Sequence, residues 1–172
     1  MNSESAAPDP ANSVAGASFD VLMLACEGEP YLTRLDCIGE VLMPAALRGI
    51  PGAPAPLLGV LNLRGSMLPV IDLALRLGTR RGADGGRTWR SRNRILCVES
   101  GDRRVGIAVD LVGSIHRLQP NQRRQWVLGG GDDCLGDLWL LGGTTVQEIR
   151  LDLLLDGLDR ILLTPPDHRT LT

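Results

Sequence analysis

The chain contains no lysine, and aromatic residues make up only 3% of it, as three Trp, one Tyr and one Phe. Its positive charge is therefore carried by arginine, whose planar, forked guanidinium suits carboxylate partners. The interior has to be built from Leu, Val, Ile and Ala. Histidine is scarce too. His116 lies near the end of an apolar segment and His168 in a polar tail, and neither has a Ser or Cys at a catalytic spacing. A lone histidine of this kind reads as structural. The acids show no D-x-D or H-x-E pattern, which lowers the expectation of an enzyme. The four cysteines, Cys26, Cys37, Cys97 and Cys134, form no C-x-x-C pair and have no histidine at zinc spacing. Most sit in apolar segments, as free thiols do in a reducing compartment. Neither a basic leader nor an apolar run of about 20 residues is present, so the expected location is the cytoplasm, without membrane insertion. The net charge of −2 and pI near 5.7 give no global reason to bind nucleic acid.

Glycine and proline are plentiful, with 21 and 11 among 172 residues. Frequent turns and aliphatic runs predict many short strands, nine or ten of them, in an all-β fold with at most short helices. Residues 1–18 are polar and small and read as a dispensable tail, residues 19–163 as the folded domain and 164–172 as a second tail. "FDVLMLAC-EGEP-YLTRLDC" predicts a hairpin, and "IGEVLM" could continue its second strand past a break at Gly39. The proline-rich stretch around Pro51, Pro54 and Pro56 reads as a loop with one helical turn before Gly59. "VLNLRG" and "SMLPVIDLALRLG" read as two strands, with Pro69 at a strand start, an edge or a bulge. "RILCVES-GD-RRVGIAVDLV" predicts another hairpin, and "LDLLLDGLDRILL" could close the chain as a short amphipathic helix. Strands before and after the loop 80–94 divide the chain into two hairpin-rich halves, suited to closed or nearly closed barrels.

The loop 80–94 carries Arg80, Arg81, Arg87, Arg90, Arg92 and Arg94 around Trp89. Interleaved charge and ring could bind single-stranded nucleic acid, or serve a small β-barrel enzyme. The better reading is a mobile, solvated loop. The glycine-rich "LGGGDDCLG" and "GADGG" lack the context of a phosphate-binding loop and read as turns.

"GVLNLRGSMLPVIDL" resembles the signature of the CheW family, the adaptor domain of bacterial chemosensory systems. Further segments agree in order: Phe19–Leu24, "YLTRLDCIGEVL" with Glu40, "IPGAPAPLLGVLNLRG", and "RRVGIAVDLVGSIHRL" with Gly106 and Asp110. The resemblance covers roughly residues 19 to 160. It implies two intertwined, five-stranded, SH3-like β-barrels, no enzymatic activity and no cofactor. It also implies a stand-alone adaptor between the cytoplasmic tip of a chemoreceptor and the regulatory domain of a CheA-type histidine kinase, in a flagellar or pilus-type system. The positions it marks for partner contact are Ile38, Glu40, Gly59, Arg64 and Ile115. Each has a plainer alternative: Ile38 and Ile115 as core, Gly59 as a tight backbone position, Glu40 and Arg64 as a structural ion pair. Arg64 stands beside Gly65 between two buried strands, and a guanidinium held there needs an acceptor. The expected partner is Glu40, in a bidentate bond with one open face. The chain departs from the family where Gln147, Glu148 and Arg150 enter the final strand after a segment carrying Trp139. These polar residues predict a poorly closed second barrel.

Overall fold

The computed structural model describes residues 17–43, 45–79, 94–100, 103–125 and 134–155. Most of the expected tails, the arginine loop up to residue 93 and the turn at 101–102 lie outside the described residues. Eleven strands are present among those described: β1 (Phe19–Cys26), β2 (Glu29–Arg34), β3 (Ile38–Leu42), β4 (Leu57–Leu63), β5 (Ser66–Asp72), β6 (Arg94–Ser100), β7 (Arg103–Val109), β8 (Leu111–Leu118), β9 (Arg123–Arg124), β10 (Leu135–Leu141) and β11 (Thr144–Ile149). The first sheet has six strands in the order β8-β1-β2-β11-β10-β9, and the second has five in the order β3-β6-β7-β5-β4.

This order intertwines the sheets, as the resemblance implied, but it does not divide the chain at the arginine loop. The N-terminal hairpin β1–β2 joins the C-terminal strands, and the chain passes to the second sheet only at β3. The first sheet also gains a sixth, two-residue strand, β9, paired through Leu138 and Trp139 of β10.

Alternation explains why the runs are almost continuously apolar. Strands with both faces covered lose the polar half of the pattern. In β6, Ile95 and Cys97 enter the core inside the second sheet, with Leu61, Leu68, Val70 and Ala108. Leu96 and Val98 point the other way, into a larger core between the sheets. In β1, Val21 enters the core of the first sheet with Leu32, Leu118, Trp139 and Val146. Leu22, Leu24 and Cys26 face the junction. Each sheet thus curls around its own core, and the junction core joins them. Gly106 lies on the inner face of β7, where a Cβ would come within 2.8 Å of Ile95 Cγ2. The second barrel has no room for a methyl group there.

Several local expectations change. The first turn is only Glu27-Gly28, with φ of 53° and 85°, while Glu29 and Pro30 belong to β2. Two consecutive left-handed residues match the twist of a two-residue hairpin. Asp110 clamps this turn: its Oδ2 accepts from Glu27 N–H at 2.6 Å, and its own N–H donates to Ala25 O at 3.0 Å. β2 ends at Arg34 and does not alternate through Cys37. A 3-10 turn, Leu35–Cys37, carries the chain across to the other sheet. Gly39 is a bulge within β3, between the Ile38↔Val98 and Glu40↔Cys97 pairs.

Among the described residues 45–58, the proline-rich stretch makes two hydrogen-bonded turns, Ile50–Ala53 and Pro54–Leu57, but no helical turn. Arg48 instead bridges Val60 through two backbone hydrogen bonds of 2.9 Å. The segment expected to be one long strand after Ser66 stops at Asp72. This buried carboxylate caps a single helical turn, α1 (Leu73–Arg76), by accepting from the N–H groups of Ala74 and Leu75. Pro69 pairs with Val60 on one side, and the parallel pairing with β7 begins only at Val70. Its missing donor is thus spared at a one-sided position of β5.

The closing strand is complete despite its polar residues, and it closes the first sheet rather than the second barrel. β11 lies between β2 and β10, in parallel register with Tyr31 and Leu32. Glu148 is buried, and one of its oxygens accepts from Trp139 Nε1–H at 3.0 Å. Trp139 packs edge-on against Phe19, with centroids 5.2 Å apart. Gln147 donates to Gly136 O. Arg150 lies past the strand and pairs with Asp152 at 2.9 Å. A satisfied carboxylate is compatible with an apolar barrel, whereas an unpaired one is costly. Residues 151–155 are helical, with Leu151, Leu154 and Leu155 buried at i, i+3 and i+4.

Cys26, Cys97 and Cys134 are buried, and none of the four cysteines is in a disulfide. Burial, reinforced by the charge of Asp36, pushes the Cys37 thiol up to about 11. Only a small thiolate fraction therefore exists at neutral pH, and thiolate is the reactive form. A thiol-disulfide reagent should label the native protein slowly at pH 7 and all four cysteines rapidly in denaturant. One cysteine that reacts at the denatured rate in the native protein would contradict this packing.

Candidate partner-binding site at the mouth of the second barrel

Glu99 of β6 stands directly opposite Arg104 of β7, and Glu40 of β3 opposite Cys97 of β6. Side chains two apart share a face of a strand. Glu99 follows Cys97, Arg104 precedes Gly106, and Glu40 precedes Leu42, so all three leave on the face that lines the second barrel. They collect where its apolar core ends. Arg104 Nη2 lies 2.7 Å from Glu40 Oε1, and Arg104 Nε lies 2.9 Å from Glu99 Oε1. Beneath them Cys97 is fully buried. Burial raises its thiol pKa although the nearby Arg104 charge opposes the shift.

Arg64 reaches this cluster from the β4–β5 turn. Leu63 pairs with Ser66, leaving Arg64-Gly65 as a two-residue turn with φ of 52° and 89°. Asn62 Oδ1 accepts from Gly65 N–H at 2.9 Å and fixes the turn. Arg64 Nη2 lies 3.1 Å from Glu40 Oε2. The expected Glu40–Arg64 pair is therefore present, with two differences. The bond is single rather than bidentate, because Arg104 holds the other oxygen. The Arg64 side chain is 77% exposed against 22% for Glu40, so its stem is not held near the core. Such an exposed pair contributes at most about 1 kcal/mol to folding.

The turn would tolerate Asn or Gly at position 64 more readily than Arg. A Cβ-bearing residue in the left-handed region costs roughly 1–2 kcal/mol, and Asn relieves part of that with its short polar side chain. Arg64 and Glu27 are the non-glycine residues with positive φ among those described.

The remaining expected positions are dispersed. Gly59 is buried in β4 at φ 144°, where a Cβ would sit 2.4 Å from Arg48 O. It is a close-approach position. Ile38 is partly buried against the junction core. Ile115 is 57% exposed on β8, the outer strand of the first sheet, so the core alternative fails for it. His116, expected to be structural, is also exposed there, with Nε2 2.8 Å from Ser114 Oγ. Arg104 and Glu99 are not among the positions that the sequence marks. Their mutual pairing can be counted outward from Gly101-Asp102, but their meeting with Glu40 depends on β3 docking beside β6. Among the described residues, no group of three or more His, Cys, Asp or Glu side chains is placed to hold a metal ion, and no helix is long and apolar enough to cross a membrane.

Two intertwined barrels joined by a common core, one capped by an arginine–carboxylate cluster, define a twin-barrel domain of SH3-like type. The chain belongs to the CheW-like domain family, whose model matches residues 20–158. It is similar to a probable chemotaxis protein CheW of Rhizobium etli, 44% identical over 87 residues that cover 51% of this chain and 53% of that one. Protein PilI of Pseudomonas aeruginosa is 33% identical over 103 residues, covering 60% and 55%. The matched region therefore spans little more than half the length of these relatives. The crystal structure of the scaffolding protein TtCheW from Thermoanaerobacter tengcongensis superposes with a TM-score of 0.72 at 23% identity, over 86% of this chain and 99% of that one. That likeness establishes the shared fold.

Proposed function

We propose that this chain is a non-enzymatic adaptor that couples chemoreceptors to a CheA-type histidine kinase in a bacterial chemotaxis or pilus-type chemosensory array. It would act in the cytoplasm, at receptor clusters on the inner face of the membrane. Family membership and the names of its relatives support this reading. The single observation that carries the site is Arg64. It occupies a backbone position unfavourable to it, its pairing adds little stability, and most of its guanidinium faces solvent. Strain retained without a folding benefit points to a role in recognition. Glu40 holds that guanidinium, exposed Ile115 offers an apolar contact on the other barrel, and Ile38 bridges core and surface. Gly59 supports the site by positioning β4.

Arg64→Asn tests the proposal. Asn suits the left-handed turn, so thermal stability should stay level or rise. Affinity for the kinase regulatory domain or for a receptor-tip fragment should fall about tenfold, or about 1.4 kcal/mol. Undiminished binding to both partners, or a variant that unfolds, would sink the assignment of Arg64.

A further inference from the structure

We propose that Arg104 is a positioning residue that keeps Arg64 available, by withholding one oxygen of Glu40 from it; this rests on the adaptor reading of Arg64 above. A guanidinium beside a carboxylate with both oxygens open frequently takes both in a fork, as Arg34 does with Asp36. Arg64 does not. Its one bond, at 3.1 Å, goes to Glu40 Oε2, while Arg104 occupies Oε1 at the shorter distance of 2.7 Å. Arg104 is the better anchored competitor. Its side chain is 35% exposed against 77% for Arg64, its Nη2 donates to Glu40 Oε1, and its Nε lies 2.9 Å from Glu99 Oε1 in an ion pair without hydrogen-bond geometry. It stands on a central strand of the sheet, whereas Arg64 stands on a two-residue turn. Arg64 is consequently held to Glu40 through a single nitrogen, Nη2.

Without Arg104, Glu40 would present both oxygens to Arg64. The Arg64 side chain would then fold down onto the barrel mouth in a forked pair. The structure thus assigns Arg104 an influence opposite in sign to that of an ordinary supporting contact. Its loss should tighten the Glu40–Arg64 pair while weakening partner binding.

The experiment is a double-mutant cycle of Glu40→Gln and Arg64→Gln on the full chain, read by urea unfolding, in the wild-type and Arg104→Gln backgrounds. The coupling should change the unfolding constant less than about twofold in wild type and about fivefold once Arg104 is gone, the upper range for exposed pairs. In parallel, Arg104→Gln alone should weaken binding of the kinase regulatory domain about three- to tenfold. If Arg104→Gln fails to fold, Arg104→Lys serves instead. Its compact ammonium cannot span both Glu40 and Glu99 as the guanidinium does, so an intermediate rise in coupling is expected. Coupling that stays level or falls would overturn the proposal, as would an Arg104→Gln affinity equal to that of a wild-type protein that does bind. A wild-type chain that binds neither kinase domain nor receptor fragment would overturn the adaptor reading instead, while the stability cycle would still judge the competition for Glu40.

Discussion

Gly59→Ala is expected to destabilise the protein by about 3–5 kcal/mol, the sum of a left-handed Cβ penalty, overpacking and weakened backbone bonds. The geometry leaves no inexpensive escape. At φ 144° an alanine is already strained, and its Cβ would stand 2.4 Å from Arg48 O and 2.9 Å from Arg48 C. Those are backbone atoms and cannot rotate aside. Relief requires Arg48 to retreat, which breaks the two 2.9 Å bonds joining it to Val60. The proline-rich segment would then lose its tether to β4. For a domain of this size the melting temperature should fall by roughly 6–20 °C. Differential scanning calorimetry decides it, and a fall below about 2 °C would mean that the bridge is dispensable. Partner binding by Gly59→Ala should recover at low temperature to the extent that folding does, since Gly59 has no exposed surface to offer. Arg64→Asn should show the converse: sound folding and lost binding.

The strand content was legible because aliphatic runs and turn residues punctuate the chain every few residues. The division into halves was not. Nothing in "FDVLMLAC" says whether β1 will pair with later strands of its own half or with β8, which follows the arginine loop. That choice is made by the junction core, which needs Leu22, Leu24 and Cys26 opposite Ile107 and Val109. Asp72 misled for a local reason. It ends an apolar strand, and its capping role is visible only as two hydrogen bonds to the next turn. The polar residues of β11 mislead because burial of a polar group depends on its partner and not on the residue alone. Glu148 is tolerable inside only because Trp139 brings an N–H to it. At the site, the Glu40–Arg64 pair was legible from family likeness and charge, but its geometry depended on a third residue. Arg104 is unremarkable in "RRVGIAVD" until β7 is placed two strands away from β3.

The same intertwining predicts how the molecule fails. Ile107 is fully buried at the centre of β7, paired with Leu96 on one side and Ile71 on the other, and its side chain belongs to the junction core. Ile107→Ala should cost about 2–5 kcal/mol, since deleted methyl groups leave a cavity that a rigid two-barrel junction cannot collapse. Were the barrels independent domains, that loss would fall on the second sheet, where Ile107 resides. The junction core also takes Leu22 and Leu24 from β1 and Ile149 from β11, all strands of the first sheet. The chain moreover leaves the first sheet after β2 and returns at β8, so neither barrel can be completed without the other. Unfolding should therefore remain one transition, with a lower urea midpoint and an unchanged slope. Amide hydrogen exchange resolves the point by strand. The slowest amides of β7 and of β11 should lose protection by the same factor, because both open only in global unfolding. Protection lost in β6 and β7 while β1 and β11 keep their wild-type rates would show that the barrels are separable, and that the shared core is a contact between domains rather than the centre of a single one.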